Sequence, residues 1–554
     1  MSSKTTSVAD MPMEDVEMRQ PGLDRSDSTN GETDAETVYP SASPIKYMLT
    51  LLAMCIFVFV AGFDFAAVTM VLPTIGTRFS KFKSVNWLIT AYLLGLASVI
   101  PSVSKLCDVC GRRVCLIVFA ALYIAGLAMS GASNEMRLLL AGRGIAGVGA
   151  SGCIAIPILA VSGLGSQRQR VGGLRIMLVV WLAAAVLGFI AGGRLVSKGS
   201  WRWVFYLNIP CLAVALFLAV PLMGGSRQVA KGASLERLKR VDILGTLLIA
   251  GSALTLILGL NFGGDLFEWA SGVVIVLLIL GVFLFALFAF VEIKFATEPL
   301  VPLAAFKERS SMALVAMQPF LGVGIFTPAM YLVLWYDVIR RESKTSIGDH
   351  LLTIPLVALV LSVASGVAIR RWGKYLPFVW LSAVFLTAGC GALLALNEKT
   401  SSSTPIGYMV LLGIGIGLST DAHIYALQSA APTQTVLDIV VLLLFLRLLG
   451  AVVGIALFNT ILQNNLTTKL AAVALSHPLY YKYILMSVDN QDIIRLPSVP
   501  QSVRDDVIQA NAEAFTASFV ACVVFAAVAI PLCVFVRHVP MLNGKLRTLG
   551  GAAS

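Results

Sequence analysis

Long apolar runs separated by short polar loops make up most of the chain, and this pattern predicts helices that cross a membrane. A membrane-spanning helix needs about 17–25 predominantly apolar residues. The segments that meet this requirement are residues 47–73, 84–104, 114–132, 138–162, 174–196, 203–223, 241–261, 270–292, 311–338, 350–370, 375–396, 405–428, 436–463 and 514–537. The sequence therefore predicts an all-α integral membrane protein of about fourteen transmembrane helices.

The loops divide these predicted helices into larger parts. Residues 1–45 are polar and acidic and predict a disordered cytosolic tail, because such a segment has no apolar surface to bury. A long external loop is predicted before the last helix, at 464–513. The remaining parts are a six-helix N-terminal half (46–223), a basic cytosolic linker (224–240), two additional helices (241–293), a six-helix C-terminal half (294–540) and a cytosolic C-terminal tail (541–554).

The composition supports a membrane protein and argues against a soluble one. Hydrophobic residues make up 58% of the chain and charged residues 13%, whereas ordinary globular domains have about 45–50% and about 25%. The net charge of +11 does not indicate nucleic-acid binding, because the basic residues lie mostly in loops, where they orient a membrane protein. We expect the lipid bilayer and a small-molecule substrate as partners, no nucleic acid, and a monomer with a cytosolic N-terminus.

Two loops at equivalent positions form a weak internal repeat. Ser104 to Arg113 joins predicted helices 2 and 3, and Gly366 to Lys374 joins helices 10 and 11. Both have a small residue, a glycine seven positions later and then a basic residue. Helices 10 and 11 are the second and third of a six-helix set if helices 7 and 8 are an insertion. Matching six-helix halves are typical of transporters that rock around a site near the membrane midplane.

Two short motifs typical of soluble enzymes occur in the chain, but the sequence around them does not fit an enzyme site. Gly147 to Gly152 matches GxGxxG, but it lies inside an apolar helix, where small residues let helices pack closely. Cys107 and Cys110 form a single CxxC pair, which is a poor zinc site without a second pair. HExxH, P-loop and GxSxG motifs are absent from the sequence. We therefore expect no enzyme activity, metal or cofactor, and a proton gradient as the energy source.

Charged residues within the predicted helices are the strongest functional candidates. A charge at the bilayer centre costs about 2.5–3.5 kcal/mol on insertion scales, so such groups face a cavity or one another. The candidates are Asp64 in helix 1, Arg143 in helix 4, Asp421 and His423 in helix 12, and Arg447 in helix 13. For Asp64 and Arg143 the sequence favours proton coupling over a structural ion pair. For the other three, both interpretations stay open.

Three stretches resemble the major facilitator superfamily, and are most similar to its fourteen-spanner drug:proton antiporters of the fungal efflux-pump type. They are Lys105 to Arg113, the RGIAGVG stretch from Arg143 to Gly149, and the SWRWVFYLNIP stretch from Ser200 to Pro210. The resemblance implies two six-helix halves plus two extra central helices. It also implies that Asp64 carries the proton with help from Arg143, and that a cytosolic loop gates transport through Lys105, Asp108, Gly111, Arg112 and Arg113.

Helix 5 departs from the family pattern. It has Gly188-Phe189 and then Gly192, where these antiporters usually have a Gly-Pro pair. Phe189 keeps its backbone N–H and imposes no kink. Together with Trp87 and Trp335, Phe189 is a candidate for the wall of an apolar cavity, whereas Gly188 and Gly192 are candidates for helix packing.

The function expected from this resemblance is proton-coupled export of a small amphipathic compound, such as a toxin, drug or secondary metabolite. One alternative is an uptake or vacuolar carrier of the same fold, for a siderophore or an amino acid. Another is a transporter-like sensor that no longer moves substrate. The plasma membrane is the expected location, with the vacuole or another internal membrane as the alternative. Asn465 begins a glycosylation sequon on the predicted external side.

Overall fold

A computed structural model describes residues 43–164, 167–223, 243–263, 267–295, 306, 308–401, 403–430, 436–488 and 499–537. The linker 224–240, the C-terminal tail 541–554 and nearly all of the N-terminal tail 1–45 lie outside these residues, so the predictions made for them stay predictions.

Fourteen described helices are long and apolar enough to cross a membrane, which confirms the predicted number. We number them α1 to α14: Pro44–Arg78, Phe82–Cys110, Arg112–Ala132, Met136–Val161, Gly172–Ser197, Trp203–Leu222, Leu244–Phe262, Gly272–Lys294, Arg309–Arg340, Lys344–Trp372, Leu376–Ala395, Thr404–Ala430, Asp438–Ser476 and Gln501–Cys533. The fifth helix is continuous through Phe189, as expected where no proline removes a backbone hydrogen bond.

The predicted loop 464–513 is the main error in the sequence-based assignment. α13 continues to Ser476, a short helix occupies Tyr481–Met486, and α14 already begins at Gln501. Hydropathy detects only the apolar part of a helix, and these extensions are polar. Asn465 therefore lies inside α13, where its side-chain Nδ2 donates to the Ile461 carbonyl at 2.9 Å. The sequon is thus helical and not part of a loop.

The two sets of six helices repeat the same pairings. In the first set, α1 packs on α5, and α4 packs on both α2 and α3. In the second set, α9 packs on α13, and α12 packs on both α10 and α11. The repeated loops also match: Gly111 before α3 and Gly373 before α11 both have positive φ, at 86° and 67°. Glycine adopts that region without the strain that a side chain would add.

The glycines of the GxGxxG stretch pack α4 between two neighbours. A Cβ on Gly147 would overlap the Tyr92 carbonyl of α2, and one on Gly149 would overlap the Tyr123 nitrogen of α3. A Cβ on Gly152 would overlap the Phe119 ring of α3. These small residues allow the backbones to approach closely, as the sequence predicted.

This packing predicts a position-dependent response to one added methyl group. Gly149→Ala is expected to destabilise the protein by about 1–3 kcal/mol, because the Tyr123 backbone cannot move aside cheaply. Gly144→Ala on the same helix is the matched control, since a Cβ there has no atom within 4 Å. The measurement is thermal unfolding of detergent-purified variants by size-exclusion chromatography. Equal midpoints for the two variants would contradict this account of the packing.

The extra helices α7 and α8 form a hairpin beside α2 and α13. Near one end of α7, Asn86 of α2 donates to Asn261 at 3.0 Å, and Thr460 of α13 donates to the Leu260 carbonyl at 2.8 Å. Near the other end, the Ser102 and Thr246 hydroxyls share a hydrogen bond between α2 and α7. Most of α8 is exposed on the outside of the helix bundle. The hairpin is therefore attached through α7.

Candidate functional site

Two of the predicted residues, Asp64 and Arg143, form an ion pair inside the N-terminal half. Arg143 Nη1 donates to Asp64 Oδ2 at 2.9 Å and to Oδ1 at 3.2 Å. Both side chains are fully buried. They come from α1 and α4, which meet only in the folded helix bundle.

Polar and aromatic side chains surround this pair. Arg143 Nε donates to the Leu88 carbonyl at 3.3 Å, and the guanidinium lies 4.3 Å from the centre of the Tyr92 ring. Asn208 Nδ2 approaches Asp64 Oδ1 at 3.5 Å. Site roles for Leu88, Tyr92 and Asn208 were not predicted from the sequence, although Asn208 lies in the stretch that opens helix 6. The Asp64–Arg143 pair is thus held by α1, α2, α4 and α6.

This geometry suits a carboxylate that exchanges a proton. The charged carboxylate is stabilised in the apolar interior mainly by Arg143, because isolated buried charges are strongly unfavourable. A proton on Asp64 would remove its charge and weaken its attraction to Arg143. Protonation can therefore be coupled to a rearrangement of α1 against α4. Such linkage between charge and helix packing is what a proton-driven conformational change requires.

A second ion pair joins the two halves. Arg175 of α5 donates through Nε to Asp421 Oδ1 of α12 at 2.7 Å, and Asp421 is almost fully buried. Tyr425 lies beside the guanidinium, with 5.3 Å between its ring centre and Arg175 Cζ. Gly366 of α10 makes room for the pair, since a Cβ there would overlap Arg175 Nη2. Asp421 was a predicted candidate, but its partner Arg175 was not.

The other two candidates of the C-terminal half lie near each other without an ion pair. Arg447 Nε donates to Gln318 Oε1 of α9 at 2.9 Å. His423 is buried on α12, and the positive charge of Arg447 acts on it. Neither ring nitrogen of His423 has a hydrogen-bond partner in the described structure. Gln318 is a further residue of this group and was not predicted from the sequence.

The predicted gating residues lie where α2 ends and α3 begins. Lys105 and Asp108 belong to the last turns of α2, and Arg113 is exposed in the first turn of α3. Gly111 turns the chain between them. Arg112 Nη1 donates to the Leu159 carbonyl at the end of α4, at 3.1 Å. In this conformation Arg112 therefore connects the loop to α4.

The three predicted cavity aromatics are not in contact with one another. Trp87 packs against Phe262 of α7, with ring centres 6.5 Å apart, and Trp335 packs edge-to-face on Tyr336 at 5.1 Å. Phe189 is buried in α5. No common wall formed by these rings is seen in the described residues.

The glycines around Phe189 lie at close helix contacts. A Cβ on Gly188 would be 2.7 Å from Ala66 Cβ, and one on Gly192 would be 2.9 Å from the Ala67 carbonyl, both on α1. A Cβ on Gly193 would be 2.6 Å from the Lys344 carbonyl at the start of α10. These glycines therefore bring α5 close to α1 and to the C-terminal half.

Both ends of α5 touch the C-terminal half in this conformation. At one end, Ser197 and Thr345 share a hydrogen bond of 2.9 Å, and the exposed Arg194 lies 3.7 Å from Asp349. At the other end is the Arg175–Asp421 pair. The described structure is therefore closed along the contacts of α5 with α10 and α12. Among the described residues no cluster of His, Cys, Asp and Glu has the geometry of a metal site.

Comparisons with known proteins agree with this architecture. The sequence model of the Major Facilitator Superfamily matches residues 54–247. The efflux pump FUS6 of Gibberella fujikuroi is 25% identical over 96% of this chain and 95% of its own length. The efflux pump dotC of Dothistroma septosporum is 29% identical over 76% of this chain and 72% of its own length.

A solved structure shares the fold at low sequence identity. It is a bacterial homologue of the human lysosomal transporter Spinster, in an inward-facing conformation. It superposes with a TM-score of 0.57 and 14% identity, covering 89% of this chain and 98% of that one. This similarity supports the fold alone.

Proposed function

Because the chain belongs to the major facilitator superfamily, we propose that it is a proton-coupled exporter of a small amphipathic organic compound, such as a secondary metabolite, toxin or drug. The chain is a multi-pass membrane transporter and not an enzyme. Proton coupling, export and the class of compound are the parts that we propose. We place the protein in the plasma membrane, where export would remove the compound from the cell.

The observation that carries this proposal is the fully buried Asp64–Arg143 pair. A carboxylate enclosed among helices can gain or lose a proton only when the helices around it move, so its protonation reports on the conformation. The direction is supported by relatives that are named efflux pumps across most of the length of this chain.

The proton gradient supplies enough free energy for such export. One charge crossing 100 mV releases about 2.3 kcal/mol, and a gradient of one pH unit adds about 1.4 kcal/mol. At about 1.4 kcal/mol per factor of ten, one proton could sustain a concentration ratio of several hundred. The proposed function therefore needs no nucleotide site.

A vesicle assay tests this function directly. Purified protein is reconstituted into liposomes with an acidic lumen, and uptake of two amphipathic dyes, the cation rhodamine 6G and the carboxylate fluorescein, is measured after the vesicles are filtered and lysed. An exporter in the inverted orientation should accumulate dye only while the pH gradient lasts, and nigericin in potassium buffer should abolish uptake. Accumulation that requires an alkaline lumen would indicate an uptake carrier. Dye accumulation that does not depend on the pH gradient would contradict proton coupling.

A further inference from the structure

Arg447 is an unusual cation among the charged residues inside this helix bundle. Gln318 and Arg447 lie at similar depth, each nine residues into its helix (309 to 318 and 438 to 447), or about 14 Å at 1.5 Å per residue. Asp64 and Asp421 neutralise Arg143 and Arg175, but no described carboxylate forms an ion pair with Arg447. Its charge is therefore not neutralised by the described protein.

The guanidinium of Arg447 also has hydrogen-bonding capacity to spare. Its Nε donates to Gln318 Oε1 at 2.9 Å, and Gln318 Nε2 is itself fixed by the Leu314 carbonyl at 2.9 Å. The two terminal amino groups of Arg447 donate to no described atom. These groups belong to the forked arrangement that binds carboxylates through two parallel hydrogen bonds. Gln318 therefore fixes the orientation of the fork and leaves its outer groups unused.

His423 is a second unsatisfied polar side chain at this place. It is 2% exposed, and both ring nitrogens lack a hydrogen-bond partner in the described structure. A buried polar group without a partner is destabilising, so most buried polar groups in native proteins are hydrogen-bonded. As a neutral ring, His423 would offer one N–H donor.

We propose that Arg447 and His423 bind a carboxylate of the exported compound, with Gln318 as the positioning residue. This inference rests on the proposed export function and makes its substrate class an amphipathic organic acid. The carboxylate would neutralise Arg447, occupy the free donors of its guanidinium and accept the N–H of His423. These are the groups that α9, α12 and α13 leave without partners inside the helix bundle.

The occupant is an anion and not a cation or a neutral amide. A cation would be repelled by Arg447, because like charges repel strongly in a medium of low dielectric. A neutral ligand would leave the guanidinium charge uncompensated inside the membrane, which is unfavourable. The Asp64–Arg143 pair offers no such site, because each group already neutralises the other.

Arginine-selective labelling tests this site without requiring transport. The full-length protein in nanodiscs is treated with phenylglyoxal, and modification of Arg447 is followed by mass spectrometry with benzoate or benzamide present. We expect Arg447 to react, benzoate to slow its modification at least about fivefold, and benzamide to have no effect. Exposed Arg113 should react equally under all conditions, and fully buried Arg143 should stay unmodified.

Two variants separate binding from packing. Gln318→Glu places a carboxylate beside Arg447 with little change in volume, and should abolish benzoate protection while the protein stays folded. His423→Leu should raise the benzoate concentration for half-protection about tenfold, because it removes one hydrogen bond to a charged group. A purely structural Arg447 predicts no benzoate protection in the unmodified protein and no change in either variant.

The outcomes distinguish this inference from the proposed function. An unreactive Arg447, equal protection by benzamide, or protection that persists in Gln318→Glu overturns the anion site, whatever the vesicle assay shows. Benzoate protection in a protein that fails the proton-gradient assay would support the anion site and contradict coupled export.

Discussion

Replacing Asp64 with Asn is expected to abolish gradient-driven dye accumulation while the protein still inserts into the membrane. The asparagine cannot exchange a proton, and it leaves Arg143 fully buried without its anion. Breaking a buried pair by removing one partner costs about 3–5 kcal/mol, so thermal stability should fall as well. Transport in reconstituted vesicles and the unfolding midpoint are the two measurements.

The loss of transport must be separated from the loss of stability. Replacing both residues in Asp64→Asn/Arg143→Gln removes the uncompensated charge and should recover most of the stability, since neutral replacement of a buried pair is often tolerated. Transport should stay absent, because no group that exchanges protons remains at position 64. The matched control is Asp505→Asn, an exposed carboxylate in the first turns of α14, which should change neither quantity. Coupled transport by the double variant would refute the role of Asp64.

Breaking the Arg175–Asp421 pair is expected to reduce transport at least about tenfold. This pair joins α5 to α12 across the two halves and stabilises the conformation in which they touch. A hydrogen bond to a charged group contributes about 1.5–3 kcal/mol, which is at least about tenfold in the conformational equilibrium. Asp421→Asn should therefore shift the protein toward a state open at this end. The exchanged pair Arg175→Asp/Asp421→Arg should recover part of the transport.

Gly366→Ala is expected to disrupt the Arg175–Asp421 pair without removing either charge. Its Cβ would overlap Arg175 Nη2, so the guanidinium must leave Asp421. Faster hydrogen–deuterium exchange is expected at the α5 and α12 ends that contain the pair. Gly407→Ala on α12 is the control, because a Cβ there has no atom within 4 Å. Equal exchange in both variants would show that the Arg175–Asp421 pair does not hold the halves together.

The fold was predictable from the sequence because a membrane protein must meet two requirements that are visible in a single sequence. Each crossing needs a long apolar run, and close helix packing needs small residues such as Gly147 and Gly149. The ends of α13 and α14 were not predictable in this way. Beyond the apolar core a helix can continue with polar residues, as at Asn465, where its backbone hydrogen bonds are internal and water solvates the side chains.

The candidate site was predictable only one residue at a time. Asp64 and Arg143 stand out because a charge inside an apolar run is expensive. Arg175 does not stand out, because it lies at the edge of its apolar run, where a long basic side chain can reach water. Its partner lies 246 residues further along the chain. Gln318 is uncharged, so no rule about charge marks it, and only the folded contact with Arg447 reveals its role.

The hairpin of α7 and α8 makes the two contacts between the six-helix halves, α2–α13 and α5–α10, unequal. α7 is bonded to α2 near both of its ends and to α13 near only one of them. If α2 moves away from α13, the α7–α8 hairpin must either move with α2 through the lipid or lose its hydrogen bond to Thr460. At the opposite contact, between α5 and α10, no additional helices are attached among the described residues. A rocking movement of the two halves would therefore meet more resistance from the bilayer at the α2–α13 contact than at the α5–α10 contact.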